Sequence, residues 1–140
     1  ALSESENNAY YTTLNKINRA AVLSTGGFYS QSEELLDDIK KRGVPKQLKQ
    51  YYYYTRTWLY NYWEAFSKKS EFMDYYHKKK FENLKLTVEA TSSKDVALHA
   101  YLSGEIAFLT NPMSKDVLQF YTKALKNSRV DSRVNASAAY

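Results

Sequence analysis

Residues 51–66 read YYYYTRTWLYNYWEAF, and more than half of them carry an aromatic ring. Val44-Pro45 precedes the stretch and places proline where a helix can begin, because a first-turn residue needs no N–H partner. At about 100° per residue, Trp58, Tyr51, Tyr62, Thr55, Leu48, Phe66, Leu59, Tyr52 and Trp63 fall within one arc of about 140°. That arc is the expected core-facing side. Lys49, Tyr53, Arg56 and Tyr60 follow one another at spacings of four, three and four on another stripe, so two rings alternate with two cations. A helix with rings on nearly all sides belongs at the centre of its bundle.

Working outward, the rest of the chain divides into further helices. Tyr10, Leu14, Ile17 and Ala21 form the apolar stripe of a first helix capped by Ser3 or Ser5, and Gly26-Gly27 ends it. Ser30 followed by Glu33 reads as a capping box for a second helix carrying Leu35, Leu36 and Ile39, which closes at Lys40-Lys41-Arg42-Gly43. After the aromatic helix, Ser70 caps a fourth helix over about residues 71–90, with Phe72, Met73, Tyr76, His77, Phe81, Leu84 and Val88 on its apolar face. Ser93-Lys94-Asp95-Val96 recurs as Ser114-Lys115-Asp116-Val117, and each copy reads as a helix start, which predicts a final helical hairpin. Four shared residues with divergent continuations do not make a repeat array. The expectation is an all-α single domain over residues 1–126, an irregular bundle of five or six helices around the aromatic helix. Residues 127–140 lack periodicity and are expected to fray.

Composition narrows the chemistry. The 140 residues are 44% hydrophobic with four Gly and two Pro, which suits helices better than many short strands. Absence of Cys removes disulfides, thiolate metal sites and cysteine nucleophiles, and leaves the compartment open. No run of 18 apolar residues predicts a membrane-spanning helix, and the N-terminus lacks the layout of a signal peptide. A start at Ala1 fits a processed exported protein and a cytoplasmic one with a cloning remnant equally well. His77 and His99 have no partner at metal-ligand spacing, no nucleophile elbow occurs, and no phosphate-binding glycine loop occurs. A non-catalytic protein without a cofactor or metal is therefore expected.

Charge is unevenly spread along the chain, whose formal net charge is +5. Residues 1–39 hold two cations against six acids, whereas residues 40–85 hold twelve cations against Glu64, Glu71, Asp74 and Glu82. The basic middle coincides with the aromatic helix. This predicts a protein-binding module, such as an inhibitor, an immunity-type protein or an adaptor, that meets an acidic partner through Lys49, Tyr53, Arg56 and Tyr60. Lys78, Lys79 and Lys80 form a secondary candidate for anion contact. The same stripe also suits single-stranded nucleic acid, with rings stacking bases and cations holding phosphates. A third reading is a small apolar ligand held between helices near Trp58 and Trp63, and the tyrosine stripe is also suited to self-association. Against all of these stands a purely architectural role, in which each cation covers a neighbouring ring or further helices bury Tyr53 and Tyr60.

Overall fold

The computed structural model describes residues 3–128 of the chain. Six α-helices run through them: α1 (Glu4–Thr25), α2 (Tyr29–Arg42), α3 (Lys49–Phe66), α4 (Ser70–Ala90), α5 (Val96–Thr110) and α6 (Lys115–Asn127). A 3₁₀ turn at Lys46–Leu48 leads into α3, and no strand occurs among the described residues. The protein is all-α, as the scarcity of breakers predicts. The chain divides into two compact units at the junction between Asn83 and Leu84, inside α4. The part of the tail beyond Ser128 lies outside the described residues.

In the first unit, Ser3 and Glu6 form a capping box at the start of α1: the Glu6 N–H donates to Ser3 Oγ and the Ser3 N–H to Glu6 Oε2. Gly27, at φ 86°, turns the chain into α2 in a conformation that most side chains resist. The two helices then pack closely through small residues. Ser32 Oγ donates to the Ala20 carbonyl at 2.8 Å and lies 2.7 Å from Ser24 Oγ, all of it buried. Because each hydroxyl has a partner, the contact carries no unsatisfied polar group.

The capping box expected at Ser30 and Glu33 does not form. The helix begins at Tyr29 behind Phe28, which supplies no side-chain cap, and Glu33 points elsewhere. Pro45 stands before the 3₁₀ turn rather than inside α3.

The core of this unit gathers Ile17, Leu36, Ile39, Leu48, Tyr52, Leu59 and Tyr60 with Ala20. The buried face of α3 is thus rotated by about 60° from the arc read off the sequence. Trp58 is 42% exposed and Phe66 71% exposed, while Tyr60 is 1% exposed. Tyrosine tolerates such burial when its hydroxyl finds a partner, and both buried tyrosines find one. A turn at residues 67–69 brings α4 back along α3, so that Trp63 meets Tyr76 and Lys80 reaches Glu64 and Asn61. The break expected near Ser70 is there.

In the second unit, α5 and α6 form a tight hairpin. Asp95, not Ser93, caps α5 by accepting from the Leu98 N–H, and Ser114 caps α6 by accepting from the Asp116 N–H. Gly104 has no side chain because none fits. A Cβ there would lie 2.7 Å from the Tyr121 ring and 3.2 Å from Phe120 Cβ. Tyr121 is in turn held by its hydroxyl, which donates to Glu105 at 2.7 Å, and Ala97, Ala100 and Ala124 complete the contact.

Candidate protein-interaction surface

The stripe of Lys49, Tyr53, Arg56 and Tyr60 does not present four side chains to solvent. Lys49 is exposed on the first turn of α3, and Tyr53 is half-buried against the core. Arg56 and Tyr60 turn inward. Arg56 Nη1 donates to Asp37 Oδ1 at 2.8 Å and to Tyr52 Oη at 3.0 Å, and Nη2 donates to Tyr60 Oη at 2.9 Å. The guanidinium also lies within 6 Å of both ring centroids, at 5.9 Å from Tyr52 and 5.8 Å from Tyr60. Tyr60 Oη donates to Glu33 Oε2 at 2.7 Å, and Tyr52 Oη to the Leu36 carbonyl at 2.9 Å. Every donor that Arg56 directs inward is thereby met by α2 or by its own helix.

Burial pushes the Tyr60 phenol above its usual range, and the hydrogen bond to Glu33 adds to that rise while Arg56 opposes it. Burial would lower Arg56, but the neighbouring Tyr52 and Tyr60 and the bond to Asp37 outweigh it and keep the guanidinium charged. This network is a polar clamp between α2 and α3.

The lysine run of α4 divides three ways. Lys78 is exposed, Lys79 lies 3.8 Å from Glu82 and 5.7 Å from the Tyr75 ring centroid, and Lys80 is drawn to Glu64 at 2.7 Å with its side chain 12% exposed. His77 Nδ1 is 3.0 Å from the other Glu64 oxygen. Burial would raise the Glu64 carboxyl, but Lys80 and His77 outweigh that effect and hold it below its usual range. His77 is exposed rather than buried on the apolar face.

A different set of rings reaches solvent. Tyr29, Trp63, Tyr76 and Phe72 form a ladder of nearly parallel planes: Tyr29 to Trp63 at 5.6 Å, Trp63 to Tyr76 at 4.4 Å, and Tyr76 to Phe72 at 6.4 Å, each pair within 24°. Trp63 and Tyr76, together with Phe72, Tyr75, Glu33 and Glu71, line an open cavity of about 520 Å³. Phe72 and Tyr75 are 44% and 48% exposed at its edge. Among these, only Phe72 and Tyr76 lie on the apolar face read from the α4 sequence, where they count as core. The available signal was the density of rings over residues 72–76, more than one buried face can absorb. Trp58 is not among the lining residues of this cavity.

Among the described residues no group of three or more His, Cys, Asp or Glu side chains could hold a metal ion, and no helix is long and apolar enough to cross a membrane.

Closely packed helix pairs, α1 with α2 and α5 with α6, together with α3 and α4, which a short turn joins and which meet through Trp63–Tyr76 and Glu64–Lys80, define an all-α protein of the helical-hairpin class. The whole chain, residues 1–140, matches the family model described as the SusR N-terminal TPR domain, and the chain belongs to that family. A comparison with curated proteins and one with solved structures each found no match. TPR domains mediate protein–protein interactions and are generally non-catalytic.

Membership corrects the expectation that no repeat array is present. The recurring Ser-Lys-Asp-Val marks the two helices of one hairpin, not equivalent positions in successive hairpins. The hairpins themselves begin at Glu4, Lys49 and Val96, 45 and then 47 residues apart, against roughly 34 in the consensus repeat. The W-x₂-L-G-x₂-Y pattern of that consensus is also missing, so similarity resides in the paired helices more than in shared letters.

Proposed function

We propose that this TPR domain docks a partner polypeptide at the aromatic cavity of its first unit, rather than along the Lys49, Tyr53, Arg56 and Tyr60 stripe. The observation that carries it is the pair of half-exposed rings, Phe72 and Tyr75, standing at a cavity whose floor is Trp63 and Tyr76. Rings backed by stacked neighbours are pre-ordered, so a partner gains contact area there at little cost in side-chain entropy. The volume of about 520 Å³ lies in the range of clefts that bury a small ligand or a side-chain-sized group.

Partner charge carries less of the recognition than composition implies. Arg56 is matched by Asp37 and Lys80 by Glu64, so the basic middle of the chain is partly neutralised from within. Lys49 and Lys78 remain exposed, and exposed charges of this kind act mainly on association rate. The single-stranded nucleic-acid reading loses two of its four residues, since Arg56 and Tyr60 face inward.

The test is selection of a random peptide display library on the immobilised domain, in parallel with a Phe72→Ala/Tyr75→Ala variant of unchanged helicity. Sequences enriched on the natural chain should lose at least about tenfold in affinity for the variant. Equal affinity for both proteins would move the docking site elsewhere.

A further inference from the structure

We infer that the cavity receives the guanidinium of an arginine side chain on the partner polypeptide, an inference that rests on the docking site proposed above. Its lining couples ring faces to two carboxylates, Glu33 and Glu71, and includes no cation. Three acids nearby are matched, Asp37 by Arg56, Asp38 by Lys16 and Arg42, and Glu64 by Lys80 and His77, while Glu34 and Asp74, which enter no ion pair among the described residues, do not line the cavity. Among the described residues Glu33 accepts one hydrogen bond, from the Tyr60 hydroxyl through Oε2, and enters no ion pair, while Glu71 enters none. The cavity lining therefore carries two carboxylates with no ion pair of their own among the described residues, of which Glu33 is reached by Arg56 only through the shared Tyr60 hydroxyl.

Closing such a site with a neutral side chain would strip water from both carboxylates without replacing their hydrogen bonds, and closing it with an acidic one would add repulsion. A cation meets both demands. Rings of this surface already hold cations, with Lys69 Nζ 5.6 Å from the Phe72 centroid and Lys79 Nζ 5.7 Å from that of Tyr75. Neither lysine lines the cavity.

The ladder decides between the two basic side chains. Trp63, Tyr76 and Phe72 lie in nearly parallel planes, with interplanar angles of 18° and 22° between neighbours. A planar guanidinium can extend that stack while its edge donates to carboxylates in a fork, whereas an ammonium has no plane to stack and directs its donors over a cone. Glu33 is also anchored by Tyr60, so one of the two acceptors is held in position before a ligand arrives.

The test uses the natural chain and three probes, Ac-Gly-Arg-Gly-NH₂ and its lysine and glutamate counterparts, with the indole N–H resonances of Trp58 and Trp63 as the readout. The arginine probe should shift the Trp63 signal saturably and leave Trp58 in place, the lysine probe should bind several-fold more weakly, and the glutamate probe should not bind. Glu71→Gln should weaken the arginine probe, and Glu33→Gln/Glu71→Gln should weaken it by at least about tenfold. Glu71→Gln alone is informative if the double variant loses its fold, because the Glu71 side chain is exposed and enters no hydrogen bond or ion pair among the described residues. No shift of Trp63 at tens of millimolar probe, equal binding of arginine and lysine, or unchanged binding in Glu71→Gln would overturn the inference. Display peptides that require Phe72 and Tyr75 yet contain no arginine would overturn it too, while leaving the docking site in place.

Discussion

Tyr60 donates a 2.7 Å hydrogen bond from an almost wholly buried ring to Glu33 Oε2, tying the middle of α3 to α2. The same hydroxyl accepts from Arg56, so one oxygen joins a carboxylate to a guanidinium that itself reaches Asp37. The α2–α3 contact is polar at its edge and apolar behind it.

Tyr60→Phe should therefore act on stability. It keeps the ring and its packing but removes the donor to Glu33 and the acceptor of Arg56, a loss of about 1–3 kcal/mol in chemical denaturation. The phenol pKa is raised in the fold, so the stability it contributes is present below its ordinary value of 10.0 and is lost as pH rises through the raised one. The natural chain should accordingly lose stability at strongly alkaline pH more steeply than the phenylalanine variant.

Arg56→Lys preserves the charge and should still destabilise. An ammonium cannot reach Asp37, Tyr52 and Tyr60 together as the guanidinium fork does, and the expected cost is about 1–2 kcal/mol. Thermal unfolding of the variant beside Asp37→Asn and the double variant would measure the coupling. Strictly additive effects would mean that the pair contributes nothing of its own.

Gly104→Ala reverses the usual rule for glycine inside a helix, where alanine is better by about 1 kcal/mol. The added methyl would sit 2.7 Å from the Tyr121 ring, which Glu105 holds from the other end, so α5 and α6 must separate. A net loss of about 1–3 kcal/mol is expected, together with a changed near-ultraviolet signal from the displaced tyrosine.

Glu64→Gln should produce an acid-dependent difference. The carboxyl is held below its ordinary value of 4.5 in the fold, so its contribution is present above that pH and is lost as pH falls through the lowered value. Unfolding curves of the natural chain and the variant should differ at pH 7 and converge at low pH. A difference that stays constant to low pH would mean that the loss comes from packing and not from the pairs with Lys80 and His77.

Much of the secondary structure was legible. Ser3 and Ser114 cap the helices expected of them, Gly27 turns the chain after α1, and the interruption before Ser70 separates α3 from α4. These features depend on residues within a few positions of one another. The phase of α3 was not legible, because tyrosine is ambiguous between core and surface. Tyr60 is buried on account of Glu33, 27 residues earlier, and no local pattern announces such a partner. Glu33 was itself misread as a helix cap for the same reason: a carboxylate three residues after Ser30 has two possible acceptor roles, and the tertiary one prevailed. In consequence the sequence presents Lys49, Tyr53, Arg56 and Tyr60 as one exposed stripe, whereas Arg56 and Tyr60 face inward. Projection onto one helix could mark alternating rings and cations, but could not see that α2 supplies the acids that neutralise them.

The sequence by itself determined that this chain is helical, where most of its helices start and stop, and that rings and cations are concentrated in its middle, because helix propensity, caps and breakers act over one or two turns. Only the tertiary structure decided which rings are core and which are surface. It turned Arg56 and Tyr60 inward against Asp37 and Glu33, and left Phe72 and Tyr75 half-exposed at a cavity lined by Glu33 and Glu71. The physical reason is that a tyrosine or a charged group is buried only where a complementary group waits, and that group is brought by another helix.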